Sequence, residues 1–209
     1  MPVTICWSAK GGSGTTVVAA ALALAGRAES LLVDLDGELP AVLGLPEPTG
    51  QGISDWLASD AVAPAVLDLA LTVDRTTSLV PRGTAGVDLA SPRWPELIAW
   101  LDARGHVVID AGTTPPHSEL VQPGVRSLLV TRGCYLALRR AVASAARPHG
   151  IVLVAEPGRS LRRREVEQSI GAPVVATVSL DPAVARAVDA GLLNACLPKA
   201  LRRELRGAA

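Results

Sequence analysis

The sequence predicts an α/β fold, a single three-layer domain over residues 1–209 in which a mostly parallel, twisted sheet of about seven strands carries helices on both faces. Three observations predict it. Short apolar runs alternate with longer helical patterns from end to end, which is the signature of repeated strand–helix–strand units. The chain is 49% apolar with no Phe, one Tyr and four Trp, so its core is built from Ala, Val and Leu, and branched aliphatics suit strands buried on both faces. A turn containing Gly11, Gly12 and Gly14 separates the first apolar run from the first helical pattern. At 209 residues the chain can bury a sizeable core.

Taken in order, the apolar runs place strands at 3–8, 31–34, 78–80, 107–110, 127–131, 151–154 and 174–178. Helices are expected at 15–28, 53–58, 94–103, 135–146, 161–170, 182–190 and 198–206. The Asp181-Pro182 pair sets a carboxylate cap before a proline at a first helical position. Gly26, Gly105, Gly150 and Gly191 stand where helices should stop. The stretch 38–52, rich in Pro and Gly, reads as a surface loop.

A formal net charge of zero gives no bulk electrostatic argument for nucleic acid or an anionic membrane, so any such contact needs a local patch. No run of about 18 apolar residues exists and the chain opens directly into a strand, from which a cytoplasmic protein is expected. Cys6, Cys134 and Cys196 lack metal-ligand spacing and read as buried free thiols. His106, His117 and His149 read as capping or solvated groups, and Arg162, Arg163 and Arg164 as a wet helix face, with contact to DNA or a protein partner as the alternative. Trp56, Trp94 and Trp100 read as core or interface filler, and Trp7 as a side chain under the glycine turn or at a dimer face.

The turn Lys10-Gly11-Gly12-Ser13-Gly14-Thr15-Thr16 carries the chemistry. Glycines between a strand and a helix let backbone N–H groups converge on an anion at the positive end of the helix, because no side chain blocks the approach. The ordinary phosphate loop sets a lysine on the terminal phosphates and a hydroxyl on Mg²⁺ at the helix start. Thr15 and Thr16 occupy those places, so the hydroxyl is kept and the lysine is not. Lysine occurs only at Lys10 and Lys199, every other strong base being Arg.

The pattern Lys10-Gly11-Gly12-x-Gly14-x-Thr16 resembles the deviant Walker A motif of the MinD/ParA group of P-loop ATPases. The resemblance implies ATP or ADP as ligand on Gly11, Gly12, Ser13, Gly14, Thr15 and Thr16, and a homodimer across the nucleotide face. It gives Lys10 the role of reaching the partner's nucleotide. Val33-Asp34-Leu35-Asp36-Gly37 is similar to the family's second strand and switch I, which implies that Asp36 orients the attacking water. Val107-Val108-Ile109-Asp110-Ala111-Gly112 is similar to its Walker B strand and switch II, so the implied Mg²⁺ set is Thr16, Asp34 and Asp110. The segments Gly171-Ala172-Pro173-Val174-Val175, Asp181-Pro182-Ala183-Val184 and Ala187-Val188-Asp189-Ala190-Gly191 resemble the family's closing strand and helix.

Two departures stand against brisk turnover. Thr15 cannot reach the β- and γ-phosphates, and losing one charged hydrogen bond costs roughly 1.5–3 kcal/mol, about 10- to 150-fold in affinity. Ala155-Glu156-Pro157 stands where the family usually offers an Asn to adenine. Atypical loops of this kind resemble the TadZ/CpaE pilus-assembly branch. The expected function is a nucleotide-dependent dimerisation switch or scaffold for intracellular positioning or assembly, with slow or absent hydrolysis and an unidentified protein cargo. Two alternatives stand beside it: a scaffold that keeps only the fold, and an active ATPase or a ligase resembling dethiobiotin synthetase. The basic tail 197–206 resembles the membrane-targeting helix of MinD, and reads as either a packed terminal helix or a membrane contact.

Overall fold

The computed structural model describes residues 3–26 and 29–208. Among the described residues eight strands form one sheet: β1 (Thr4–Trp7), β2 (Ser30–Asp34), β3 (Leu71–Thr72), β4 (Thr77–Val80), β5 (His106–Asp110), β6 (Arg126–Arg132), β7 (Gly150–Ala155) and β8 (Val174–Ser179). Their order is β3-β4-β2-β5-β1-β6-β7-β8. Every pairing is parallel except β3 with β4. The helices are α1 (Thr15–Ala25), α2 (Leu39–Leu43), α3 (Ile53–Leu57), α4 (Trp94–Asp102), α5 (Tyr135–Ala143), α6 (Arg163–Ile170), α7 (Pro182–Asp189) and α8 (Lys199–Glu204).

Alternation along the strands explains the three layers. Cys6, Leu32, Val108, Leu128, Val130 and Val152 point to the face covered by α1, α2, α7 and α8. Ile5, Trp7, Val33, Ile109 and Leu129 point to the opposite face, with Ile53, Trp56, Trp94 and Leu97 from α3 and α4. Leu138 of α5 and Val166 of α6 close that face over β7 and β8. Successive residues facing opposite ways, both buried, is the pattern of a doubly covered parallel sheet. Helix α1 is buried from Val18 to Leu24, and its Ala-rich surface lets its backbone lie close to the strands.

Several expectations are corrected. The sheet has eight strands, because two residues at Leu71–Thr72 pair antiparallel at its edge. The stretch read as loop contains α2, a single turn with Pro40 at its start and Gly44 in the left-handed conformation at its end. A 3₁₀ helix, Ala63–Leu69, also went unread. Gly150 opens β7 instead of closing a helix. The first helix stops at Ala25, and its expected end at Ala28 lies outside the described residues. Only Cys6 is buried, and burial pushes its thiol pKa far up; Cys134 is half-buried and Cys196 exposed.

Trp7 is fully buried and donates its Nε1 to Ser127 Oγ at 2.9 Å, so it is a core side chain. His149 Nδ1 accepts the Ser127 N–H at 3.0 Å, and His106 Nδ1 lies 3.0 Å from Ser30 Oγ. Among the described residues no cluster of His, Cys, Asp or Glu could hold a metal by itself. Leu201 and Leu205 in the tail are buried in the α1 side of the core, so the apolar face of α8 is already covered. Among the described residues no helix is long and apolar enough to cross a membrane.

Candidate nucleotide site

The C-terminal ends of β1, β2 and β5 meet at one edge of the sheet, and the register fixes which residues come together there. Cys6 and Asp34 both pair with Asp110, and beyond the strands Ser8 N–H donates to Gly112 O at 2.9 Å. The loop 10–14 rises from this edge and enters α1. Gly12 and Gly14 take φ of 73° and 91°, a left-handed turn that costs an L-residue roughly 1 kcal/mol or more and glycine almost nothing. Apart from chain neighbours, no heavy atom among the described residues lies within 4 Å of where a Cβ would stand on either, so both glycines border open space. Ser13 braces the loop from inside by donating Oγ to Lys10 O at 2.6 Å. No side chain caps the start of α1. The free N–H groups of its first turn therefore present partial positive charge to the open side.

Lys10 is half-buried, and its Nζ donates only to Gly11 O at 3.4 Å, with no carboxylate partner among the described residues. Thr15, the first residue of α1, is buried. Thr16, one position on, is half-buried.

The three aspartates have different surroundings. Asp110 is fully buried at the end of β5, with Oδ1 accepting the Gly112 N–H at 3.0 Å and Oδ2 left without a hydrogen-bond partner. Burial drives its pKa up to about 7, against the lowering pull of the Gly112 N–H and of the Thr16 hydroxyl, while Asp34 and Asp36 add to the rise. Thr16 thus faces this carboxylate without satisfying Oδ2. A buried carboxylate oxygen without a partner is costly, and a cation is the natural way to relieve it. The donor set of a carboxylate and a hydroxyl beside an anion cradle fits Mg²⁺, a hard ion held by oxygen and by phosphate. Asp110 and Thr16 are the residues that could hold it.

Asp34 is equally buried but fully engaged. Its Oδ1 accepts the N–H groups of Asp36 and Gly37 at 3.1 and 2.7 Å, and its Oδ2 accepts Leu39 N–H at 3.1 Å. It shapes the turn from β2 into α2, and burial, partly offset by those N–H groups, raises its pKa to about 6. Asp34→Ala, which strands these donors, is expected to lower stability by about 2–4 kcal/mol, whereas Asp34→Asn, keeping the Oδ1 contacts, should cost clearly less; urea unfolding of both variants checks this. Asp36, projecting beyond that turn, is half-buried and lies against the backbone of Gly112, where an added Cβ would fall 2.2 Å from its Cγ. Arg82 holds the same turn by donating Nη1 to Asp36 O at 3.2 Å. Neither Arg82 nor the bracing by Ser13 was foreseen from the sequence, since both depend on contacts made only in the folded chain.

Beside the loop, between α1 and α7, lies an apolar cleft of about 270 Å³ that includes Gly14, Val17, Val154, Leu180 and Val184. A shallow cavity of about 410 Å³ near Gly171 and Pro173 lies elsewhere, as does a polar cleft of about 360 Å³ around Arg75 and His106.

This end of a parallel sheet, with a glycine turn leading into a buried helix, has the arrangement of the P-loop fold. Comparison with solved structures makes the class specific. A ParA family ATPase from Chlorobium tepidum superimposes with a TM-score of 0.78 at 22% identity, over 98% of this chain and 96% of that one. The septum site-determining protein MinD of Pyrococcus horikoshii, in complex with Mg-ADP, gives 0.73 at 22% identity, over 99% and 93% of the two chains. An ATP complex of an McdA variant from Cyanothece gives 0.71 at 16% identity, over 100% and 96%. No family model matches the sequence, and no curated protein matches it. The chain has the fold of the MinD/ParA-type P-loop ATPases.

Proposed function

We propose that this chain is a nucleotide-dependent dimerisation switch or scaffold of the MinD/ParA kind, acting in intracellular positioning or assembly, with slow or absent hydrolysis. One observation carries the reading: Asp110 Oδ2, buried and without a partner, stands beside an uncapped helix start and an open glycine turn. Solved structures of the same fold hold Mg-ADP or ATP, which supports the same ligand class here.

In this reading the 11–16 loop cradles the phosphates through backbone N–H groups, while Thr16 and Asp110 hold Mg²⁺, which neutralises phosphate charge. Asp36 would orient a water, and the half-buried Lys10, lacking a carboxylate partner among the described residues, would reach a second copy. With Thr15 in place of lysine, one grip on the β/γ-phosphates is missing, and transition-state charge is less well stabilised than ground-state binding. The atypical loop favours the TadZ/CpaE-like branch. Thr15 equally favours a second reading, a scaffold that keeps the fold and has no nucleotide.

Light scattering separates the two. With saturating ATP and Mg²⁺ the mass is expected to shift from monomer to dimer, with no shift on ADP. An identical mass with and without ATP contradicts the switch and supports the scaffold.

A further inference from the structure

The loop has no cation at position 15, but one stands on the neighbouring strand. β6 pairs with β1, Trp7 lying opposite Leu129, and Arg132 ends β6 three residues later, where β1 has already turned into the loop. Leu128 and Val130 face the α1 side of the sheet, and Arg132 continues that row. Its side chain consequently enters the apolar cleft and shares its wall with Ser13 and Gly14.

The guanidinium is poorly used there. Nε is buried and has no hydrogen-bond partner. The nearest carboxylate oxygen, Glu156 Oε2, is 3.9 Å from Nη1 and is already taken by Arg159, at 2.8 Å from Nη2 and 2.9 Å from Nε. Arginine carries five N–H donors in a planar fork that matches phosphate, and leaving the buried Nε–H unmatched in a two-thirds buried side chain is unfavourable. Glu156 steadies the side chain without saturating it.

We propose that Arg132 is the side-chain cation of this phosphate site, meeting the nucleotide's phosphate chain from β6 in place of the lysine that Thr15 replaces. The inference rests on the nucleotide-binding reading above and adds to it a specific residue. It also accounts for how a loop without its lysine keeps useful affinity for a triphosphate, since an Arg–phosphate contact is charge-assisted and bidentate.

The test is competition of ATP, and separately of inorganic tripolyphosphate, against a fluorescent ATP analogue in the presence of Mg²⁺, for wild type, Arg132→Ala, Arg132→Gln, Arg132→Lys, Thr15→Lys and the double variant Arg132→Ala/Thr15→Lys. Arg132→Ala and Arg132→Gln are expected to weaken both competitors by about 10- to 150-fold, and Arg132→Lys by less. Thr15→Lys should raise affinity far more in the Arg132→Ala background than in wild type, because the two cations serve one ligand. Arg132→Gln keeps the side chain's length and polarity, so its thermal unfolding midpoint shows whether any loss reflects the fold. Unchanged affinity in both neutral variants overturns the inference while leaving nucleotide binding intact. A loss for ATP with none for tripolyphosphate also overturns it, since Arg132 would then touch base or ribose. No binding of ATP by the wild type overturns the underlying reading instead.

Discussion

Asp110→Asn is expected to be more stable than the wild type above pH 7 and to bind ATP no better with Mg²⁺ than without it. The first half follows from burial. The carboxyl titrates near 7 in the folded protein, raised chiefly by desolvation, against an ordinary value of 3.8. A group whose folded pKa is raised contributes its stability below the unfolded pKa and loses it as pH rises through the folded one. Between about pH 4 and pH 7 the wild type therefore weakens, by on the order of 4 kcal/mol from this group, and stays weakened above. Asparagine carries no such charge. Its amide replaces Oδ2 in a place without a partner, which returns about 1–3 kcal/mol of the gain. A net advantage of about 1–3 kcal/mol at pH 8, reversing near pH 4 to a deficit of about 1–3 kcal/mol, is the expected result of denaturant unfolding at the two pH values. The second half follows from chemistry, because a neutral amide is a poor ligand for Mg²⁺. A residue that costs stability in the free protein and is needed only with ligand is the usual mark of a functional position.

Gly44→Ala is expected to prevent folding or to lower stability by more than about 4 kcal/mol. Gly44 ends α2 at φ 70°, and a Cβ there would stand 1.8 Å from the carbonyl oxygen of Gly191 and 2.8 Å from its carbon. Both obstacles are backbone, so no rotamer relieves them. The turn that follows α7 would have to move away from α2, and with it Leu193, which is fully buried in the α1 side of the core. Gly12→Ala makes the contrast. It has a similar φ of 73° and open space around it, so it should cost only about 1 kcal/mol while obstructing the cradle. Urea unfolding of the two variants measures the difference.

Much of this was readable along the chain, and what was not shares a cause. The glycine turn, its strand and its helix are local, and their apolar pattern and φ demands are written in consecutive residues. Asp110 and Asp34 could be singled out because each ends an apolar run. Their roles could not be told apart, because Asp34 is satisfied by N–H groups two, three and five residues on, whereas Asp110 Oδ2 is not satisfied at all. Helix α2 escaped because five residues with a proline among them carry no periodicity, and its start depends on the Asp34 carboxylate. β3 escaped because two residues become a strand only when β4 lies beside them. Arg132 escaped for the same reason at longer range: it means nothing in sequence, and acquires a position only when β6 lies next to β1.

The claim at the centre of this account is that a phosphate loop without its lysine still holds a nucleotide, through backbone N–H groups and a magnesium ion on Asp110. Isothermal titration of the wild type with ATP, in Mg²⁺ and then in excess chelator, tests it most directly. The account predicts saturable binding of one ATP per chain that weakens at least tenfold when Mg²⁺ is removed, consistent with a lost charged interaction of about 1.4 kcal/mol or more. Absence of any binding heat at millimolar ATP with Mg²⁺, confirmed by the absence of any ligand-induced rise in melting temperature, would contradict it.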